Sequence, residues 1–268
     1  WVRLAPFTWD EGRHTLGRNE HINGKLVHLS VKSSPGGASV TCRSGAALTA
    51  AERKVLRRRS SYMLGLDIDL DRFVRRARSL DRRIYRFARE GGARMLRGST
   101  LFEDVVKTLF TTNASWAFTR QMCQRLVSAT GRMRRNQSGE FFPSQQMVRD
   151  MDMSTLTNRC KLGYRAGYLR NIADAFCEDG EIERSAPREV VEKLSKVKGL
   201  GPYSINHIAI LLGEYSQIPI DSEVRSYCKE IGMSFKEETI LAHYARWHPF
   251  EFLAFRMERR IRRMSERG

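Results

Sequence analysis

Asp221 lies eighteen positions beyond Tyr203, after the extended apolar segment Ile218-Pro219-Ile220 and ahead of a helix opening with Ser222-Glu223-Val224. A carboxylate placed there is half buried beside the positive end of a helix, and the local amides and dipole keep it ionised. An ionised carboxylate of this kind can stabilise a developing cation or orient water. The same placement describes an ordinary helix N-cap, so the residue alone leaves both readings open. Upstream, Val197-Lys198-Gly199-Leu200-Gly201 reads as a tight turn between two helices. Gly199 supplies positive φ, and Gly201 lets another backbone come close. The next helix starts near Pro202, with apolar positions Ile205, Ile208, Ala209, Leu211 and Leu212 at helical spacing up to Gly213. Its unpaired N–H groups and positive dipole end face an approaching phosphate, and Lys198 adds a full charge beside them. That is a sequence-independent grip on a nucleic-acid backbone. A Gly-x-Gly between apolar runs can equally be a plain helix connector; the carboxylate that follows favours the functional reading.

The elements that must position these groups are mostly helical. From Trp1 to Arg43 the chain alternates apolar and polar residues, as in Lys25-Leu26-Val27-His28-Leu29-Ser30-Val31 and Ala38-Ser39-Val40-Thr41-Cys42, around Ser-Pro-Gly-Gly turn chemistry. This predicts a small antiparallel sheet over residues 1–45. After Ala46 the period becomes helical, with Thr49 as N-cap and Glu52 three residues on. Helices are expected at 49–59, 69–76, 79–89, 99–112, 115–129, 144–149, 153–158, 164–178, 187–196, 202–213, 221–230, 236–246 and 249–265. The fold class is α+β, predominantly α: a β-rich domain over 1–45 and a helical domain over 46–268. The latter carries the hairpin at 194–213 and the carboxylate segment at 218–224. No internal repeat, heptad pattern or low-complexity linker is visible, and Arg134 to Gly139 reads as a flexible loop.

Composition bounds the partners. The 268 residues include 47 Lys plus Arg against 30 Asp plus Glu, a net charge of +17. Such a field attracts polyanions with strong salt dependence, a demand that DNA, RNA or an acidic membrane would each meet. Taken singly, Arg57-Arg58-Arg59, Arg75-Arg76, Arg82-Arg83, Arg134-Arg135, Arg259-Arg260 and Arg262-Arg263 read as solvated helix faces; their number carries the point. With 41% apolar residues the chain can bury one or two cores, and no apolar run approaches the ~20 residues a membrane span needs. No signal peptide is visible, and the start at Trp1 suggests a trimmed or processed chain, which leaves N-terminal targeting open. Cys42, Cys123, Cys160, Cys177 and Cys228 are odd in number, widely separated and without a C-x-x-C pair, so they read as reduced, mostly packed thiols.

The hairpin and the Ile-Pro-Ile-Asp segment together resemble the helix-hairpin-helix DNA glycosylase superfamily (HhH-GPD). That family's motif runs Leu-Pro-Gly-Val-Gly-x-Lys, an apolar helix, then Val-Pro-Val-Asp. Leu101-Phe102-Glu103 through Thr111-Thr112-Asn113 is similar to the helix and Asn-bearing loop of the branch holding 8-oxoguanine glycosylases and bacterial alkyladenine glycosylases. Lys161-Leu162-Gly163-Tyr164-Arg165-Ala166-Gly167-Tyr168 is similar to its Gly-Tyr-Arg-Ala segment. The likeness covers about Ala51 to Gly268, and several members of the branch also carry an N-terminal β domain.

The resemblance implies a base-excision repair enzyme acting on double-stranded DNA with a damaged or modified base, working as a monomer in the bacterial cytoplasm or nucleoid or in a eukaryotic nucleus. A base turned out of the stack would lose its N-glycosidic bond, with Asp221 as the catalytic carboxylate. Bifunctional relatives carry a Lys where this chain has Tyr203, and Tyr cannot form their Schiff base, so a monofunctional enzyme without lyase activity is expected. Lys198, Gly199, Leu200 and Gly201 would grip DNA. Asn113 would fill the void left in the duplex, Tyr164 would wedge beside the orphaned base, and Arg165 would contact it. Read without the family, Asn113 is a turn residue, Tyr164 a packing aromatic and His207 an ordinary helix histidine. By alignment His207, Glu251 and Phe255 line the base pocket, and Glu251 replaces a Gln, so it would accept hydrogen bonds rather than offer one. Phe118 stands where 8-oxoguanine enzymes place an Arg on the opposite cytosine, and Glu223 where they place a phosphate-binding His, which moves substrate preference away from strict 8-oxoguanine opposite cytosine. No cofactor is expected beyond a monovalent Na+ or K+ on the backbone carbonyls of Ser195, Val197 and Leu200. The cysteine pattern excludes the four-cysteine iron–sulfur loop of endonuclease III relatives. The competing readings are a non-catalytic DNA-binding module, which would keep the hairpin without needing Asp221, and a bifunctional lyase using Lys198.

Overall fold

The computed structural model describes residues 1–34, 37–133 and 139–266. The expected loop at 134–139 lies outside them except for Gly139, as do Arg134-Arg135 and the turn pair Pro35-Gly36. Four strands, β1 (Thr8–Asp10), β2 (Thr15–Ile22), β3 (Lys25–Ser34) and β4 (Gly37–Ser44), pair antiparallel in chain order. Asn23-Gly24, both at positive φ, turn β2 into β3 so that Ile22 faces Lys25. Alternation along β3 buries Val27, Leu29 and Val31, which pack with Leu56 and Met63 of α1 (Ala50–Met63). The predicted capping box opens α1: the Glu52 amide donates to Thr49 Oγ1 at 3.2 Å, and the Thr49 amide to the Glu52 carboxylate at 2.8 Å.

The remaining helices are α2 (Asp71–Leu80), α3 (Arg82–Arg89), α4 (Leu101–Thr111), α5 (Trp116–Met133), α6 (Gln145–Asp150), α7 (Arg165–Glu178), α8 (Pro187–Ser195), α9 (Pro202–Leu211), α10 (Ser222–Glu230), α11 (Glu237–Tyr244) and α12 (Glu251–Ser265). The architecture is therefore α+β and dominated by helices, as the periodicity predicts. At the expected helix over 153–158 the chain instead forms a wider turn at Thr155–Arg159, because the Cys160 amide reaches the Thr155 carbonyl, 2.9 Å away and five residues back. None of the described helices is long and apolar enough to cross a membrane.

The chain forms two compact units, Trp1–Gly65 with Leu96–Ser204, and Leu66–Met95 with Ile205–Gly268. The sheet shares its unit with helices. The second unit closes its own core around Phe73, Ile84, Tyr227, Trp247 and Phe255.

In the first unit α4 is buried along its whole length from Leu101 to Phe110, charged residues included. Glu103 takes a two-pronged hydrogen bond from Arg18 of β2, at 3.1 and 2.8 Å, and a third from Lys107 at 2.5 Å. Arg18 Nε also lies 2.6 Å from Glu20, which in turn pairs with Arg59 at 2.7 Å. Burial opposes charge on Glu103, yet Arg18 and Lys107 hold its carboxyl down at about 2. This network fastens the sheet to the helix that carries the Asn113 loop.

Candidate nucleic-acid interface and carboxylate site

In the first unit, α8 ends in two tight turns, Val197 N–H donating to Leu194 O at 3.0 Å and Leu200 N–H to Val197 O at 3.1 Å. Gly199 has φ +111°, and a Cβ there would stand 2.5 Å from the Tyr168 side chain. Both facts require glycine. The Lys198 carbonyl accepts from Asn171 Nδ2 at 3.2 Å, while Leu200 is buried and pins the turn. The Lys198 and Gly201 residues are exposed, and a Cβ on Gly201 would meet open space within the protein. Gly199→Ala is expected to cost about 1–3 kcal/mol through the strained backbone alone, read as a lower melting temperature. Gly201→Ala should melt like the wild type, because nothing in the folded chain crowds that position. Tyr203, 40% exposed, occupies the first turn of α9 just beyond the hairpin.

Asn113 is exposed in the loop between α4 and α5 with φ +47°, a left-handed conformation that Asn tolerates better than most residues. Tyr164 immediately precedes α7, is 56% exposed and meets Tyr168 edge to face at 5.7 Å. The Arg165 guanidinium lies 4.6 Å from the centroid of the Tyr164 ring. Arg165 is placed otherwise than expected. It is 4% exposed, and its Nη2 donates to the carbonyls of Thr112 at 2.5 Å and Asn113 at 3.1 Å. The physical reason is the end of α4, whose last carbonyls lack helical partners and attract a cationic donor. The guanidinium that was to reach an orphaned base is instead turned inward under the loop.

In the second unit, Asp221 is half-buried and N-caps α10. Oδ1 accepts from the amides of Glu223 and Val224, both at 2.9 Å, and Oδ2 has no hydrogen-bond partner among the described residues. The N-cap and the functional readings are thus compatible: one oxygen fixes the carboxylate and leaves the other for chemistry. Glu223 does not compete, since Arg259 binds it at 2.6 Å and lowers its pKa. Burial pushes the His207 pKa down, only partly opposed by Asp221, which favours the neutral imidazole at pH 7.

The other two pocket residues fall into different surroundings. Phe255 is 5% exposed and packs edge to face on Tyr227 at 5.7 Å and Tyr244 at 6.1 Å, so its ring belongs to the core of this unit. Glu251 is 7% exposed at the start of α12, with Oε1 2.9 Å from His248 Nδ1 and Oε2 buried without a partner among the described residues. The His248 partnership went unread in the sequence, because His248 precedes α12 and no helical spacing marks the pair. Of the basic runs, Arg59, Arg76 and Arg259 are committed to protein partners, and Arg83 and Arg262, though exposed, pair with Asp81 and Glu266, whereas Arg57, Arg75, Arg82 and Arg263 are exposed. Among the described residues no group of three or more His, Cys, Asp or Glu could hold a metal ion.

No protein-family model matches the chain, and no curated protein matches its sequence. Solved structures do match its fold. An 8-oxoguanine glycosylase/lyase of Clostridium acetobutylicum, solved with double-stranded DNA, is 17% identical over 97% of this chain and 89% of its own, with a TM-score of 0.65. The 3-methyladenine DNA glycosylase of Archaeoglobus fulgidus is 18% identical over 94% and 88%, with a TM-score of 0.69. A 3-methyladenine DNA glycosylase of Schizosaccharomyces pombe, solved with abasic DNA, is 20% identical over 69% and 93%, with a TM-score of 0.52. The fold of this chain is the fold of those glycosylase structures.

Proposed function

We propose that this chain is a monofunctional DNA glycosylase, which turns a damaged or modified base out of duplex DNA and hydrolyses its N-glycosidic bond. The observation that carries the reading is Asp221, fixed through Oδ1 by two backbone amides and left with an Oδ2 that has no hydrogen-bond partner among the described residues. Support comes from the fold it shares with DNA glycosylases solved on double-stranded and abasic DNA, and from a net charge of +17. As the bond between C1′ and the base nitrogen breaks, the base leaves with the electron pair and the sugar becomes oxocarbenium-like. The Asp221 charge stabilises that cation and orients a water, whose oxygen bonds to C1′ as its proton passes to the carboxylate. Lys198 and the α9 amides hold the backbone phosphates, Tyr164 wedges the duplex, and Asn113 fills the vacated space.

Tyr203 fixes the outcome: a phenol offers no amine for a Schiff base, so the strand is left with an intact abasic site. A monovalent cation on the carbonyls of Ser195, Val197 and Leu200 belongs to the same proposal; the Val197 carbonyl accepts one hydrogen bond and keeps a second lone pair for it. A DNA substrate puts the enzyme in the nucleoid of a bacterium or the nucleus of a eukaryote. Borohydride treatment during turnover tests the lyase question: no covalent protein–DNA adduct should form, and an adduct abolished by Lys198→Ala would establish the bifunctional alternative.

A further inference from the structure

Arg165 is the least expected member of the interface. Its guanidinium lies 4.6 Å from the Tyr164 ring centroid and 5.8 Å from that of Phe118, while Nη2 binds the carbonyls of Thr112 and Asn113. One buried side chain therefore touches both segments that the proposed mechanism drives into the duplex. Asn113 sits in left-handed backbone at the end of α4, a conformation held there by the two carbonyl bonds on either side of it. Arg165 Nε is buried without a hydrogen-bond partner among the described residues, so the group is caged in this position and does not extend outward.

We infer that Arg165 is a positioning residue that locks the Asn113 loop and the Tyr164 wedge into one preorganised intruding unit, and that DNA engagement is consequently indifferent to the base opposite the lesion. This rests on the glycosylase reading above. Phe118 contributes only a ring, and the Arg165 guanidinium is committed to carbonyls. What remains is the Asn113 amide, which can donate or accept, and the Tyr164 ring, which stacks on any base. Neither distinguishes the four bases.

The test uses duplexes with a tetrahydrofuran abasic analogue opposite adenine, cytosine, guanine, thymine or the fluorescent 2-aminopurine. Wild-type affinities should agree within roughly threefold across the four bases, where a bidentate contact to one base would separate them by about 5- to 150-fold. Binding should raise 2-aminopurine fluorescence as the wedge unstacks it. Arg165→Ala should lose that rise and weaken binding equally for all four bases, with added guanidinium ion restoring the signal; Arg165→Lys, which keeps one cationic donor, should retain part of it and guards against a misfolded variant. A wild-type preference for one opposite base of tenfold or more, removed by Arg165→Lys, overturns the inference, as does a wild type that leaves 2-aminopurine stacked. A protein that unstacks 2-aminopurine yet releases no base from any duplex contradicts the glycosylase reading and leaves this one standing.

Discussion

Asp221→Asn should slow base release by about 10²- to 10³-fold, the scale on which an electrostatic contact to developing charge acts. The variant is nearly isosteric, and Asn caps a helix about as well as Asp, so α10 should keep the amide bonds that Oδ1 now accepts and the protein should melt normally. What disappears is the negative charge. Affinity for undamaged duplex should stay level or rise, because one repulsive charge leaves a DNA-binding surface. Single-turnover release and equilibrium binding, measured on the same preparation, separate the two effects. Equal release rates for variant and wild type would leave the hairpin as a plain binding device and remove the enzymatic mechanism.

Glu103→Gln should cost about 3–5 kcal/mol, since breaking a buried ion network strands the surviving charges. Lys107 would be left without a carboxylate and Arg18 with Glu20 alone, and neither has water to turn to: their side chains are 0% and 1% exposed. For a chain of this size the melting temperature should fall by roughly 10 °C. The pH dependence has a definite sign. Because the folded carboxyl is depressed from 4.5 to about 2, its contribution is present above the unfolded value and disappears as pH falls between the two. Wild type and variant should therefore converge in stability toward pH 2. Loss of less than 1 kcal/mol at pH 7 would mean that the network is held together by something other than this carboxylate.

Much of this arrangement could be read from local sequence, because local rules govern it. Helical periodicity and the Thr49–Glu52 box located α1, and β3 was legible from its alternation. The Gly199 turn was legible as a positive-φ position; the second reason for that glycine, the Tyr168 side chain, lies 31 positions earlier and leaves no local trace. Asp221 likewise announced its N-cap, but that only one of its oxygens is engaged is a matter of geometry. Long-range partnerships stayed hidden. Arg165 finds its acceptors 53 and 52 positions away, and a basic residue beside an exposed Tyr reads naturally as a surface contact. Arg18 and Glu20 carry no local sign of their partners, Glu103 of α4 for the first and Arg59 of α1 for the second. Phe255 was placed by alignment, and only the positions of Tyr227 and Tyr244 assign its ring to the core.

The most direct measurement is product analysis on lesion-bearing duplexes, containing uracil, thymine mispairs, 8-oxoguanine, hypoxanthine, alkylated purines or hydroxymethyl pyrimidines. Mass spectrometry should detect a free base from at least one of them, with the strand unbroken until hot alkali cleaves the abasic site. Strand scission without alkali would contradict the role given to Tyr203, and the absence of any released base across the panel would contradict the glycosylase account itself.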